Sequence, residues 1–288
     1  MKSKSSARSD NDDRLAVLID ADNAQPSVIE GLLSEIAKYG EMSVKRIYGD
    51  FTSTRMTQWK QALLKHSIAP VQQFAYTSGK NATDSSLIID AMDLLYTQRL
   101  DGFCLVSSDS DFTRLAQRLR EGGMTVYGFG ERKTPDAFVQ ACNKFVYTEV
   151  LRSETPPPVP APQPAKKAAR KAAAKSAKKA ASIAEPTATT APVESEPAVA
   201  APAEPARNEA FPLKLIRQAI EEASDDQGWA FLGTVGSYLV KIRPDFDPRL
   251  YGKKKLSDLL QQHPKHFVME ERGGDGNASR RIFVRWRD

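Results

Sequence analysis

Cysteine is nearly absent. The 288 residues contain two, Cys104 and Cys142, and neither lies in a Cys-x-x-Cys pair. With only His66, His263 and His266 besides, the chain has neither zinc-ligand spacing nor a disulfide framework, which points to a reducing, cytoplasmic setting. Long apolar runs are also missing. None approaches the roughly 18 residues needed to span a bilayer, so no membrane association is expected. The opening MKSKSSARSDNDDR lacks the hydrophobic stretch of a secretory leader. No Gly-x-Gly-x-x-Gly follows the first apolar run, and SGKN at 78–81 is not the end of a P-loop. No Ser/His/Asp or Cys/His arrangement suggests nucleophilic hydrolysis. Dinucleotide-dependent, P-loop and triad chemistry are thereby set aside.

What is present falls into segments. Residues 1–13 are polar and expected to be disordered. Apolar content is 41%, enough for at least one sizeable core. Over residues 14–152, short apolar runs at 15–20, 43–50, 102–109 and 124–130 read as strands. Helical patterns at 26–39, 54–66, 84–99 and 111–121 lie between them. Continuous apolar strands alternating with helices predict an α/β, Rossmann-like, mainly parallel sheet covered on both faces. Residues 153–207 contain no aromatic side chain and are dominated by Pro, Ala and Lys. Such a composition cannot bury enough apolar surface to fold, so a disordered linker is expected. Periodicity returns in residues 208–288, with helices predicted near 212–223, 232–242 and 253–263. A hairpin, FVMEER and RIFVRW around GGDGNAS, follows them. This order describes a small winged-helix domain.

Charge is unevenly placed. Residues 1–152 carry 19 basic and 19 acidic side chains, whereas 153–207 carry 8 against 5 and 208–288 carry 14 against 12. The net charge of +5 therefore comes from outside the first domain. A basic excess of this kind is a weak electrostatic footprint for nucleic acid.

The first domain concentrates acids where strands end. Asp20 closes LIDADN, and Asp109 and Asp111 follow the apolar run Phe103-Cys104-Leu105-Val106. Right-handed crossovers put the carboxyl ends of parallel strands on one edge, where ligands of open α/β sheets collect. At 100° per residue, Asp84 lies in line with Ile88, Ala91 and Leu95, so it points at the sheet from a helix's first turn. Asp90 and Asp93 fall on the opposite side and read as solvated. Asp22 stays open, and Lys80 and Lys133 read as surface lysines. Taken singly, Asp84 and Asp111 could cap their helices. Four carboxylates converging on one edge repel one another unless a cation neutralises them. Hard oxygen donors suit Mg²⁺ or Mn²⁺, and the chemistry that follows is metal-assisted phosphoryl transfer.

At these residues the chain resembles the NYN family of PIN-like nucleases. The matching stretches are LIDADN (18–23), GKNATD with SSLIIDAMDLL (79–95), SSDSDFTRLAQRLREGG (107–123) and GFGERKTP (128–135). The resemblance implies a Mg²⁺- or Mn²⁺-dependent ribonuclease, an endoribonuclease, with Asp20, Asp84, Asp109 and Asp111 as catalytic metal ligands and Asn23 as the polar residue beside the first acid. GWAFLGTVGSYL (228–239), YGKKKLSDLL (251–260) and FVMEER (267–272) are similar to OST-HTH, or LOTUS, domains. That likeness implies an RNA-binding module, with Lys253, Lys254, Lys255, Arg280 and Arg281 as phosphate contacts. Two other readings remain open at this stage. Asp20-Ala21-Asp22 resembles the Asp-x-Asp nucleophile of aspartyl-phosphate phosphatases, although Ala24 stands where that motif has Thr. A non-catalytic protein that binds RNA, or a protein partner through its C-terminal domain, would also carry these features.

The linker generates a test of its own. AKKAARKAAAKSAKKAA (165–181) has seven basic residues in seventeen. If about three of them meet phosphates of single-stranded RNA, deleting the segment lowers the slope of log K against log salt by about 2. An unchanged slope in a salt titration identifies it as a spacer only.

Overall fold

β1 (Arg14–Asp20), RLAVLID, is buried along all but its first residue. A strand without an exposed face must be covered on both sides and paired on both edges. In the computed structural model, which describes residues 13–52, 56–74, 82–151, 211–273 and 281–287, β1 pairs in parallel with β2 (Glu41–Gly49) and with β4 (Gly102–Val106). β3 (Ala69–Gln72) extends the sheet beyond β2, and β5 (Thr125–Gly130) and β6 (Lys144–Tyr147) extend it beyond β4. The six strands run β3-β2-β1-β4-β5-β6, all parallel, so strand order reverses between β1 and β4.

Alternation along β1 divides the interior. Leu15, Val17 and Ile19 pack with Leu32 and Ile36 of α1 (Ile29–Ile36) and with Trp59 and Leu63 of α2 (Thr57–His66). Ala16 and Leu18 face Leu87 and Ala91 of α3 (Ala82–Tyr96), Leu115 and Leu119 of α4 (Thr113–Glu121), and Phe138 of α5 (Asp136–Ala141). This is the expected α/β, PIN-like architecture. Sequence reading missed β3, α5 and β6. The first and last are four-residue edge strands, and Pro70 inside β3 is tolerated because an edge strand has a free side. Both cysteines are buried free thiols, and burial pushes their pKa up.

The C-terminal domain has the predicted order. It comprises α6 (Leu213–Ala223), β7 (Ala230–Phe231), α7 (Leu232–Ile242), α8 (Leu256–Gln261), β8 (Phe267–Arg272) and β9 (Arg281–Trp286). β7, β9 and β8 form an antiparallel sheet, of which the two-residue β7 was not expected. The third helix is shorter than the pattern suggested. A 3-10 turn over Pro248–Tyr251 ends on Gly252 with φ 74°, and Lys255 is extended at φ −132°, so α8 begins only at Leu256. The linker expected at 153–207 and the N-terminal residues 1–12 lie outside the described residues.

The two domains belong to one compact unit. The backbone N–H of Phe145 on edge strand β6 donates to the carbonyl of Pro244 at 2.8 Å, and Tyr147 Oη donates to Asp245 Oδ2 at 3.2 Å. Arg249 holds the carboxylate of Asp247 and also donates to both oxygens of Glu35, at 2.9 and 3.0 Å. Glu35 is 5% exposed and also accepts from Lys38 and Tyr39. Burial alone would raise its carboxyl, but the hydrogen bonds from Arg249, Lys38 and Tyr39 outweigh burial and bring it from 4.5 to about 2. A folded pKa below the unfolded one contributes stability that is complete above about pH 4.5 and lost as pH falls towards 2. Arg249→Met should cost roughly 1–3 kcal/mol in urea unfolding, between the values for exposed and buried pairs. It should also flatten the decline of stability over that acid window.

Candidate active site

β4 stops at Val106, three residues short of Asp109, so the acid does not end the strand as the sequence suggested. The chain stays tied to the sheet for one more residue, because Ser107 N–H donates to Phe129 O at 3.0 Å. Ser107 Oγ then donates to Asp20 Oδ2 at 2.8 Å and accepts from Asp109 N–H at 3.1 Å. A 3-10 turn, Ser110–Phe112, follows, and buried Phe112 anchors it in the core. Asp109, not Asp111, is the cap. Its Oδ1 accepts from Asp111 N–H at 2.9 Å, and its extended backbone aims the side chain back across the turn.

α3 brings the third acid. Leu87, Ala91 and Leu95 are its buried positions, and Asp84 in its first turn is half-buried above them. One carboxylate oxygen each from Asp84, Asp109 and Asp111 lies within 4.8 Å of the others. Burial, then the charges of Asp20, Asp109, Asp111 and Asp22, push the Asp84 carboxyl up from 3.8 to about 6. The three carboxylates thus crowd like charge into one small volume.

Asp20 stands apart from this trio. It is fully buried, with Oδ1 accepting from Asp22 N–H at 3.0 Å and Oδ2 from Asn23 Nδ2 at 2.8 Å and from Ser107. Burial raises its pKa, and these hydrogen bonds oppose the rise. Asn23 therefore orients Asp20. Ser107 links Asp20 to Asp109, a role the sequence reading did not assign. Its signal was a small hydroxyl between an apolar strand and an acid.

Other placements depart from expectation. Asp90 is not solvated: it accepts from Arg46 and from the hydroxyl of buried Tyr48, because α3 packs over β2 on a wider arc than its apolar stripe implied. Asp93 is exposed, and Lys133 pairs with Glu131 at 2.9 Å. Lys253, Lys254 and Lys255 precede α8 and do not form its first turn. Lys254 borders a cavity of about 320 Å³ beside Glu35, Lys144 and Arg249, which none of Asp20, Asp84, Asp109 and Asp111 lines. Arg281 begins β9, and Arg280 and Lys80 lie outside the described residues.

The doubly wound parallel sheet, with acids gathered at its point of reversal, is an α/β fold of PIN-like architecture. Residues 14–151 match the NYN domain and residues 207–278 match the OST-HTH/LOTUS domain, so the chain carries both. NYN domains are PIN-like nuclease domains, and OST-HTH domains are RNA-binding modules. The solution NMR structure of an uncharacterized protein of Nitrosomonas europaea is 47% identical, covering 33% of this chain and 89% of that one, with a TM-score of 0.27. The crystal structure of a protein of unknown function from Vibrio parahaemolyticus is 19% identical, covering 49% of this chain and 96% of that one, with a TM-score of 0.42. No curated protein matches the chain. Among the described residues, no helix is long and apolar enough to cross a membrane.

The site's two kinds of residue should respond oppositely to substitution. Ser107→Ala removes a buried hydroxyl that serves both Asp20 and Asp109 N–H, and should cost about 1–3 kcal/mol. Asp84→Asn removes one of several repelling charges, so its melting temperature in EDTA should equal or exceed that of the wild type. Calorimetry of the two variants at neutral pH checks the contrast, which a purely structural role for Asp84 would reverse.

Proposed function

We propose that the protein is a divalent-metal-dependent ribonuclease, an endoribonuclease, whose C-terminal domain binds the RNA. The observation that carries this is the trio of Asp84, Asp109 and Asp111, oxygens within 4.8 Å, at the sheet's reversal point. Their donors are hard, anionic and mutually repulsive, which fits Mg²⁺ or Mn²⁺. Such an ion supplies charge neutralisation and Lewis-acid polarisation of a phosphodiester. Asp84, Asp109 and Asp111 would hold it, and Asp20, kept in place by Asn23 and Ser107, would add a further negative charge that acts on Asp84. The 3-10 turn rigidly sets the spacing between Asp109 and Asp111.

The phosphatase reading fares worse. An aspartyl nucleophile needs a free oxygen that meets substrate, whereas Asp20 is fully buried with both oxygens accepting hydrogen bonds. RNA contacts are assigned to the C-terminal domain, where Lys253, Lys255 and Arg281 supply basic groups away from the acidic edge. The first domain carries no net charge to attract a polyanion.

Asp109→Asn tests the reading. Asn retains the oxygen that accepts from Asp111 N–H, so the turn survives while a ligand charge is lost. On a mixed RNA pool with Mn²⁺, cleavage should fall by roughly a hundredfold or more. Mn²⁺ should raise the melting temperature of the wild type by more than that of the variant. Cleavage by the variant at the wild-type rate rules the proposed site out.

A further inference from the structure

The C-terminal sheet has one face committed to its core. Ala230, Val284 and Phe267 are buried there. By the period of two, Phe231, Phe283, Arg285, Arg281, Glu270 and Arg272 stand on the other face. That face is an interleaved set of rings and guanidinium groups. Phe231 lies opposite Phe283, with ring centroids 5.9 Å apart. Arg272 lies 4.5 Å from the Trp229 ring and 4.9 Å from that of Phe283. Arg285 lies 5.0 Å from Trp229, and Arg281 lies 5.9 Å from Phe231. Trp229 is held by its backbone, since Asp225 Oδ1 accepts its N–H at 2.9 Å, and its indole meets both guanidinium groups.

Two features are costly if the face has no ligand. Phe231 is 40% exposed, one of few large apolar side chains so placed among the described residues. Arg272 and Arg281 are direct cross-strand partners, and like charges in that position destabilise a sheet. Glu270 offsets Arg272 at 2.9 Å, but among the described residues neither Arg281 nor Arg285 has a carboxylate partner. Among the described residues the face therefore carries two guanidinium groups without a carboxylate partner, beside the exposed ring of Phe231.

We propose that this outer face is a stacking platform for unpaired RNA bases, with Arg281 and Arg285 meeting the intervening phosphates. The proposal rests on the RNA reading above and gives it a substrate class, single-stranded RNA. In a duplex the base faces are already stacked and cannot reach the rings, whereas unpaired bases stack on aromatic and guanidinium planes. The alternation of rings with cations suits a strand that alternates bases with phosphates. This surface is distinct from the lysines ahead of α8.

The experiment uses the full chain in EDTA, so that binding is read without cleavage. The probes are a labelled oligoadenylate and an abasic ribose-phosphate strand of equal length. Phe231→Ala should weaken oligoadenylate binding about tenfold, towards the lower end of one base–aromatic stack, and leave the abasic strand unaffected. Phe231→Leu, which keeps apolar bulk without a π face, should behave as Phe231→Ala does. Arg285→Ala should weaken both strands and lower the salt slope by about 0.7. If the Phe231 and Arg285 variants bind oligoadenylate like the wild type while a Lys253/Lys254/Lys255→Ala variant does not, the platform is wrong and the RNA reading stands. If the wild type binds no RNA at all, both fall, and the face is left as a protein-docking surface.

Discussion

Everything at the candidate site depends on β1 being paired on both edges and covered on both faces. A strand so enclosed ends where the sheet reverses its order, and there Asp20 is carried to full burial. A carboxylate in that position is tolerable only with donors around it. Asp22 N–H, Asn23 and Ser107 provide them, and each also shapes the loop that it belongs to. Ser107 is the joint. It satisfies Asp20 on one side and sets the path of the chain towards Asp109 on the other. The cost of burying one charge thus organises the loop that presents the next two.

The trio of Asp84, Asp109 and Asp111 works in the opposite sense. Burial, and after it the charges of Asp20, Asp109, Asp111 and Asp22, push the Asp84 carboxyl up to about 6. The rest of the domain must over-determine this geometry for it to persist. Phe112 locks the 3-10 turn, and Leu87 with Ala91 locks α3 beneath Asp84. The two cores on either side of the sheet hold the crowded edge in place.

The second domain is held by a different interaction. Arg249 serves Asp247 in its own domain and Glu35 in the other, so a single guanidinium joins two buried carboxylates. The edge strand β6, which would otherwise present an unpaired N–H at Phe145, finds its acceptor in Pro244. The outer face of β7, β9 and β8 takes no part in these contacts.

The α/β class, the order of the main strands and helices, and the meeting of Asp84, Asp109 and Asp111 were legible from the sequence. Each rests on local periodicity or on a residue type at a strand's end, and neighbours in the chain are enough to produce those. The short edge strands β3 and β6 were not legible, because four residues carry too little period and their pairing depends on strands distant in sequence. The partnership of Asp90 with Arg46 and Tyr48 was misread for a related reason. A helical wheel gives direction but not how far the neighbouring strand reaches around it. Only the tertiary structure decided that Ser107 reaches Asp20, 87 residues away, and joins it to Asp109, and that Arg249 reaches Glu35 across 214. Such contacts join groups whose separation in sequence carries no pattern, and they exist only once the sheet and both cores have brought the groups together.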